Sequence, residues 1–310
     1  MQMKSLMVFC DVVRHRSFSR AAKENEMSQS AASQLVHHLE EHLDVKLIDR
    51  SKRPFVLTPE GEVFYEGCSD LVEQYLSLED KVRSLHQVVA GQVRVASIYS
   101  VGLYHMNLCV RNFLKEHGEA NIRLEYLHPS RVYQDVEHDL ADLGLVSFPK
   151  ESRAIQVIPW REERITLVCS PRHRLAARDS VELEDLDGEK MVGFDEGLTI
   201  RREIDRAFQE RRIEAKIVMN FDNIEIIKRA IEIEAGVGLL PEPTIRRETA
   251  SGDLVAVPLS NVELVRPLGI IHRRNKTLSS TAERFIDLLQ HEKDPVGDPL
   301  SLETPVQGSV

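Results

Sequence analysis

The sequence predicts an α/β protein in three successive parts: a winged helix-turn-helix over residues 1–58, a long helix over 59–90, and alternating strands and helices over 91–292. Three observations lead there. Residues 17–50 read as two short helices joined by a tight turn, running into a basic hairpin. Residues 59–90 repeat apolar side chains at alternating spacings of four and three. From Gly91 onward, β-rich runs alternate with amphipathic helical runs, the texture of a parallel or mixed sheet flanked by helices.

The first helix carries an apolar stripe of Leu6, Phe9, Cys10 and Val13, and Ser17 is placed to cap the second, whose Ala21 and Ala22 permit close packing. Wound at about 100° per residue, Gln29 to Leu43 gathers Ala32, Leu35, Val36, Leu39 and Leu43 on one arc. Gln29, Ser30, Ser33, Gln34 and His37 fall on the other. A solvated face usually carries Lys and Glu, whereas uncharged Gln and Ser suit base edges in a major groove, where donors and acceptors must match. Ser28 stands at the N-cap, so the helix can aim its first amides at a phosphate. The run LIDRSKRPFVLTPEG then alternates and turns as a hairpin, with Arg50, Lys52 and Arg53 at its tip.

The segments AA, MSQSAASQ, HLEEHL, KLIDR and LTPEG between Phe18 and Gly61 resemble the DNA-binding domain of LysR-type transcriptional regulators, and the order of parts matches that family across roughly residues 4–292. The resemblance implies binding of double-stranded DNA. Gln29, Ser30, Ser33, Gln34 and His37 would face the major groove beside the Ser28 cap, and Arg50, Lys52 and Arg53 would meet the backbone or minor groove. His37 and His38 stand where the family often has Arg, and Leu35 where Gln is common, which implies weaker phosphate affinity and a pH dependence in the histidine range.

The net charge of -10 argues against a protein that coats nucleic acid uniformly. Residues 1–58 hold nine Lys or Arg against seven Asp or Glu, a net of +2 that leaves -12 for the remainder. A slightly basic head on an acidic body fits contact with DNA at one end. The four cysteines, Cys10, Cys68, Cys109 and Cys169, have no metal-ligand spacing and read as buried thiols of a reducing compartment. Neither a secretory leader nor an apolar run near the ~20 residues that span a bilayer is present, so a cytoplasmic protein without membrane contact is expected.

Phe64, Cys68, Leu71, Tyr75, Leu78, Val82, Leu85 and Val89 form the heptad strip, with Val63 and Val72 outside it. Pro59 and Glu60 start a helix of roughly 45 Å at 1.5 Å per residue. Dimerisation along this strip is expected; a helix packed only on its own domain is the alternative. The family resemblance likewise implies a dimer here, and a tetramer built from two dimers.

Within 91–292, the resemblance implies a two-lobed effector domain like periplasmic solute-binding proteins, with lobe one at 91–160 and 267–292 and lobe two at 161–266, the chain crossing near Pro159 and Pro267. Ligands of open α/β sheets sit beyond the carboxyl ends of strands. Ile98 to Val101 end the opening strand, and Gly197 to Ile200 lead into a helix, each offering a hydroxyl and backbone amides to a small anion. By the resemblance, Ser147, Asn223 and Glu225 join Ser100, Val101 and Thr199 as effector contacts. Asp139 replaces a common family Gly. Gly236 reads as a helix C-cap and Gly238 as a tight return into a strand, rather than a phosphate loop. The histidines are scattered, so neither metal nor cofactor is expected. Residues 293–310, rich in Pro and Gly, read as a disordered tail.

The reading is therefore a metabolite-responsive DNA-binding regulator and not an enzyme. The alternatives are a two-lobed α/β enzyme, against which no nucleophile elbow or paired catalytic motif appears, and a metabolite-binding protein whose N-terminal domain docks a protein.

Overall fold

The computed structural model describes residues 2–84 and 91–291. Helices α1 (Met3–His15), α2 (Phe18–Glu24) and α3 (Gln29–Leu43) pack around Val8, Phe9, Ala21, Ala32 and Val36, all fully buried, and the short hairpin β1 (Ile48–Asp49) and β2 (Val56–Leu57) closes this unit. Ser17 caps α2 by accepting from the Arg20 amide, and Ser28 caps α3 by accepting from the Ala31 amide. Two residues of the expected inward arc of α3 depart from it. Leu35 is only partly buried, and Leu43 is exposed, because the last turn of α3 stands clear of the bundle; Glu40 is buried in its stead.

Helix α4 (Pro59–Ser84) starts against this unit. A Cβ on Gly61 would collide with the Leu47 carbonyl, so only glycine lets the helix begin so close to the hairpin. The expected single heptad strip divides in two. Phe64 and Cys68 pack on α1, with the Phe9 and Phe64 ring centroids 5.4 Å apart, and Val72, expected outside the strip, is buried beside them. Leu71, Tyr75, Leu78 and Val82 remain exposed, Leu78 to 61%. Leu85, Val89 and the tail 293–310 lie outside the described residues.

Lobe one is built from β3 (Gly91–Ile98), α5 (Tyr99–Glu116), β4 (Ala120–Leu127), α6 (Pro129–Glu137) and β5 (Leu143–Ser147). Strand β6 (Ile155–Cys169) then crosses into lobe two, formed by β7 (Lys190–Phe194), α7 (Thr199–Arg211), β8 (Lys216–Phe221), α8 (Ile224–Glu232), β9 (Gly238–Pro241), α9 (Arg246–Ser251) and β10 (Val255–Val257). Strand β11 (Val265–Arg273) returns, and α10 (Ser280–His291) covers lobe one. The main sheet runs β10-β6-β11-β5-β3-β4 with β9 also on β6. Strand β3 is parallel to β4 and β5, whereas β11 is antiparallel to β5 and β6. Each lobe has its own apolar core, and the two continuous strands β6 and β11, irregular in register at Leu268 and Gly269, join them.

Two local expectations change. The opening strand stops at Ile98, and Tyr99 and Ser100 form the first turn of α5. Gly236 is not a C-cap: α8 ends at Glu232, the left-handed residue is Glu234 at φ 63°, and Gly236 instead lets the chain approach β7, where a Cβ would stand 2.5 Å from the Lys190 carbonyl oxygen.

A charged joint fastens α4 to lobe one. Lys276 donates to Asp139 at 2.7 Å and Asp142 at 3.0 Å and lies 3.7 Å from Glu73 of α4, while Arg94 and Arg273 hold the same two aspartates. Asp139 adopts the left-handed conformation that the usual family glycine would favour, at φ 56°, and its carboxylate binds the two cations. Burial alone would raise both carboxyls; the surrounding Lys and Arg charges outweigh it and hold them below the usual range.

Candidate DNA-reading face and interlobe cleft

The outward side of α3 and the hairpin enclose a groove of about 900 Å³ lined by Gln29, Ser30, Ser33, Gln34 and His37 from the helix and by Lys46, Asp49, Arg50 and Thr58 from the hairpin side. Gln29, Ser30, Gln34 and His37 are exposed; the Ser28 hydroxyl is engaged as the cap and lies 2.9 Å from that of Ser30. Arg50 is not at the hairpin tip. Its guanidinium donates to the Ser33 hydroxyl at 3.1 Å, covers the Phe18 ring at 5.0 Å and lies 3.7 Å from Glu40, so it acts as a strut between hairpin and helix. Lys52 and Arg53 stay exposed in the loop, outside the groove lining.

Two residues of this face escaped the sequence reading. Glu40, with its side chain 2% exposed, accepts from the Leu47 and Ile48 amides at 3.0 and 3.2 Å and thereby docks the hairpin on α3. An acid one turn after Val36 on the apolar arc was the available signal. Lys46 adds a cation to the groove wall.

In the two-lobed region, Ser100 lies in the first turn of α5 and its hydroxyl accepts from Arg266 at 2.9 Å. Thr199 opens α7 and accepts from Arg202 at 2.9 Å. Neither Ile98 nor Leu198, the N-cap residues, supplies a side-chain cap, which leaves first-turn amides of both helices for a ligand. Ser147 ends β5, half-buried. Two expected contacts are corrected at the level of the side chain. Val101 is fully buried in the core of lobe one, and Asn223 is occupied in capping α8, accepting from the Glu225 amide at 2.9 Å. Glu225 instead joins the lobes: the Tyr104 hydroxyl of α5 donates to it and accepts from Lys228 at 2.7 Å.

Behind Ser100, the crossing strands hold a buried ionic cluster. Glu163 of β6 and Arg266 of β11 pair with side chains 2% exposed, and His105 of α5 meets Glu163 at 2.6 Å. Burial would raise the Glu163 carboxyl, but the Arg266 charge and the hydrogen bonds from His105 and Arg266 hold it below the ordinary value. Burial also draws Arg266 down; a guanidinium starts so far above neutrality that it stays charged, and the pair is ionic.

Among the described residues, Asp11, His15 and Glu24 bring ligand atoms within 4.8 Å of one another. Their oxygens already bind Arg14, Asn25, His15 and Arg123, so the group is an ion-pair network tying α1 and α2 to β4. No helix among the described residues is long and apolar enough to cross a membrane.

This arrangement has known relatives. The family described as bacterial regulatory helix-turn-helix protein, lysR family, matches residues 3–62, and the family described as LysR substrate binding domain matches residues 86–294. The chain belongs to the LysR family of transcriptional regulators. It is 23% identical over 285 residues to the HTH-type transcriptional regulator CysL of Bacillus subtilis, covering 92% of this chain and 95% of that protein. It is 26% identical over 290 residues to the RuBisCO operon transcriptional regulator of Allochromatium vinosum, covering 94% and 96%. Its fold matches a full-length OxyR variant from Pseudomonas aeruginosa with a TM-score of 0.73 at 21% identity, covering 94% and 98%. As in LysR regulators generally, one end binds DNA and the other holds a small-molecule effector. In this LysR regulator the groove between α3 and the hairpin belongs to the part matched as helix-turn-helix, and the ionic hinge to the part matched as substrate-binding domain.

Proposed function

We propose that Gln29, Ser30, Ser33, Gln34 and His37 read bases from the major groove, that Ser28 directs the start of α3 at a phosphate, and that Arg50, Lys52 and Arg53 secure the flanking backbone or minor groove. The observation that carries this reading is the uncharged polar face of α3 set in one groove with Lys46 and Arg50, beside a hairpin loop that exposes Lys52 and Arg53. Gln34→Ala is expected to relax sequence preference at one operator position by about 1–3 kcal/mol, whereas Arg53→Ala weakens all sequences alike and lowers the salt slope by about one. Gel shifts on the DNA upstream of the chain's own gene, against random DNA at several salt concentrations, check both. An equal loss on specific and random DNA for Gln34→Ala overturns the base-reading role.

The effector is proposed to be a small anion held between the lobes by Ser100, Ser147 and Thr199, with Val101 and Asn223 contributing backbone rather than side-chain groups. The two uncapped helix starts support this reading. A thermal-shift screen of carboxylates and oxyanions finds candidates, because a ligand of the folded state at a hundredfold excess over Kd adds about 2.7 kcal/mol of stability. Thr199→Val is expected to remove the shift and leave operator binding unchanged; a full shift in Thr199→Val moves the site elsewhere. The regulator is proposed to act without catalysis, in the cytoplasm, as a tetramer of two dimers joined through α4.

A further inference from the structure

Cys10 of α1 and Cys68 of α4 stand 58 positions apart in sequence, yet their sulfurs are 3.5 Å apart, with the Cys10 thiol donating to Cys68. Both are nearly fully buried, 1% and 3% exposed, at the junction where the DNA-reading unit meets the linker helix. Cys109 and Cys169 instead sit in the separate cores of the two lobes. Two aliphatic side chains would fill the space between α1 and α4 equally well; two thiols in contact add a bond that can form. We propose that Cys10 and Cys68 are an oxidisable dithiol, closed by hydrogen peroxide into a disulfide that staples α1 to α4.

The Cys68 thiolate attacks one peroxide oxygen, the O–O bond breaks, and Cys68 becomes a sulfenic acid as hydroxide leaves and takes up the Cys68 proton as water. The Cys10 sulfur then attacks the Cys68 sulfur, the S–O bond breaks, and the departing hydroxide leaves with the Cys10 proton as a second water. Two thiols lose two electrons and one peroxide gains them. The Cys10 thiol donates its hydrogen bond to the Cys68 sulfur, and a donor aimed at that sulfur favours the thiolate there, which gives Cys68 the first attack. A disulfide needs the sulfurs ~2.05 Å apart, so about 1.5 Å of approach is required, within reach of side-chain rotation. Peroxide, close to water in size, suits a buried site better than a bulky disulfide reagent. The product encloses α2, α3 and the hairpin in one covalent loop and fixes the direction of the linker helix relative to the reading face.

The test uses the full chain, reduced and then exposed to hydrogen peroxide under native conditions, with free thiols alkylated before peptide mapping. The expected result is the loss of two hydrogen masses, mapped to a Cys10–Cys68 link, reversed by dithiothreitol, and accompanied by a rise of about 10 °C or more in the unfolding temperature of the winged unit. A Cys109→Ser, Cys169→Ser variant keeps the link, and Cys10→Ala and Cys68→Ala lack it. Mapping on the unaltered chain decides the matter if either alanine variant folds poorly. Recovery of Cys10 and Cys68 as alkylated thiols after peroxide, or oxygen added to one of them without the link, overturns the proposal.

Discussion

Glu163→Gln lowers the stability of the two-lobed domain by about 3–5 kcal/mol, the usual effect of removing one partner from a buried ion pair. The substitution keeps the shape of the side chain but leaves the Arg266 guanidinium, itself 2% exposed, without its counter-charge, and it weakens the contact to His105. Because β6 and β11 are the two strands that join the lobes, the loss falls on the hinge itself. The same cluster sets an acid limit. Glu163, Asp139 and Asp142 all have carboxyls held below their ordinary values in the folded chain. Their contribution is fully present above the unfolded carboxyl range, at about pH 5 and higher, and is lost as pH falls through about 4 towards the folded values. Urea unfolding between neutral and acid pH checks both points: Glu163→Gln should show a lower midpoint at neutral pH and a shallower acid decline. An unchanged midpoint would mean that the hinge pair adds nothing to stability.

Leu78→Lys splits the proposed dimer and abolishes tight operator binding with it. In the single chain Leu78 is 61% exposed, so lysine there is harmless to the fold, whereas in a helix-to-helix seam it buries an unpaired charge. Leu71, Tyr75 and Val82 flank it at the heptad spacing and are likewise exposed, which leaves a continuous apolar strip of α4 for a second copy to cover. Sedimentation velocity reads the assembly and a gel shift reads the DNA. The two effects should appear together, because paired reading heads gain affinity from being held at one spacing. If Leu78→Lys sediments and binds as the unaltered chain does, the dimer seam lies elsewhere.

Much of the architecture is written in local pattern. The arc of Ala32, Val36 and Leu39, the caps Ser17 and Ser28, the spacing along residues 64–82 and the strand-helix alternation after Gly91 each record which side of an element is buried, and this is enough to name a winged head, a rod and a lobed α/β body. The family motifs add the expected reading face. Periodicity does not record what each buried side meets, since that depends on partners brought together by chain closure over long separations. Only the tertiary structure could therefore divide the residue 64–82 strip, turning Phe64 and Cys68 onto α1 and leaving Leu71, Tyr75, Leu78 and Val82 outside. It alone set Arg50 back from the hairpin tip as a strut on Ser33 and Phe18, and drew Glu40 inward as the anchor of the hairpin amides. The same holds for Glu163 with Arg266, 103 positions apart, and for Cys10 with Cys68. A buried charge or thiol is stable only against a particular partner, and that partner is chosen by the packing of whole elements rather than by the residues on either side of it.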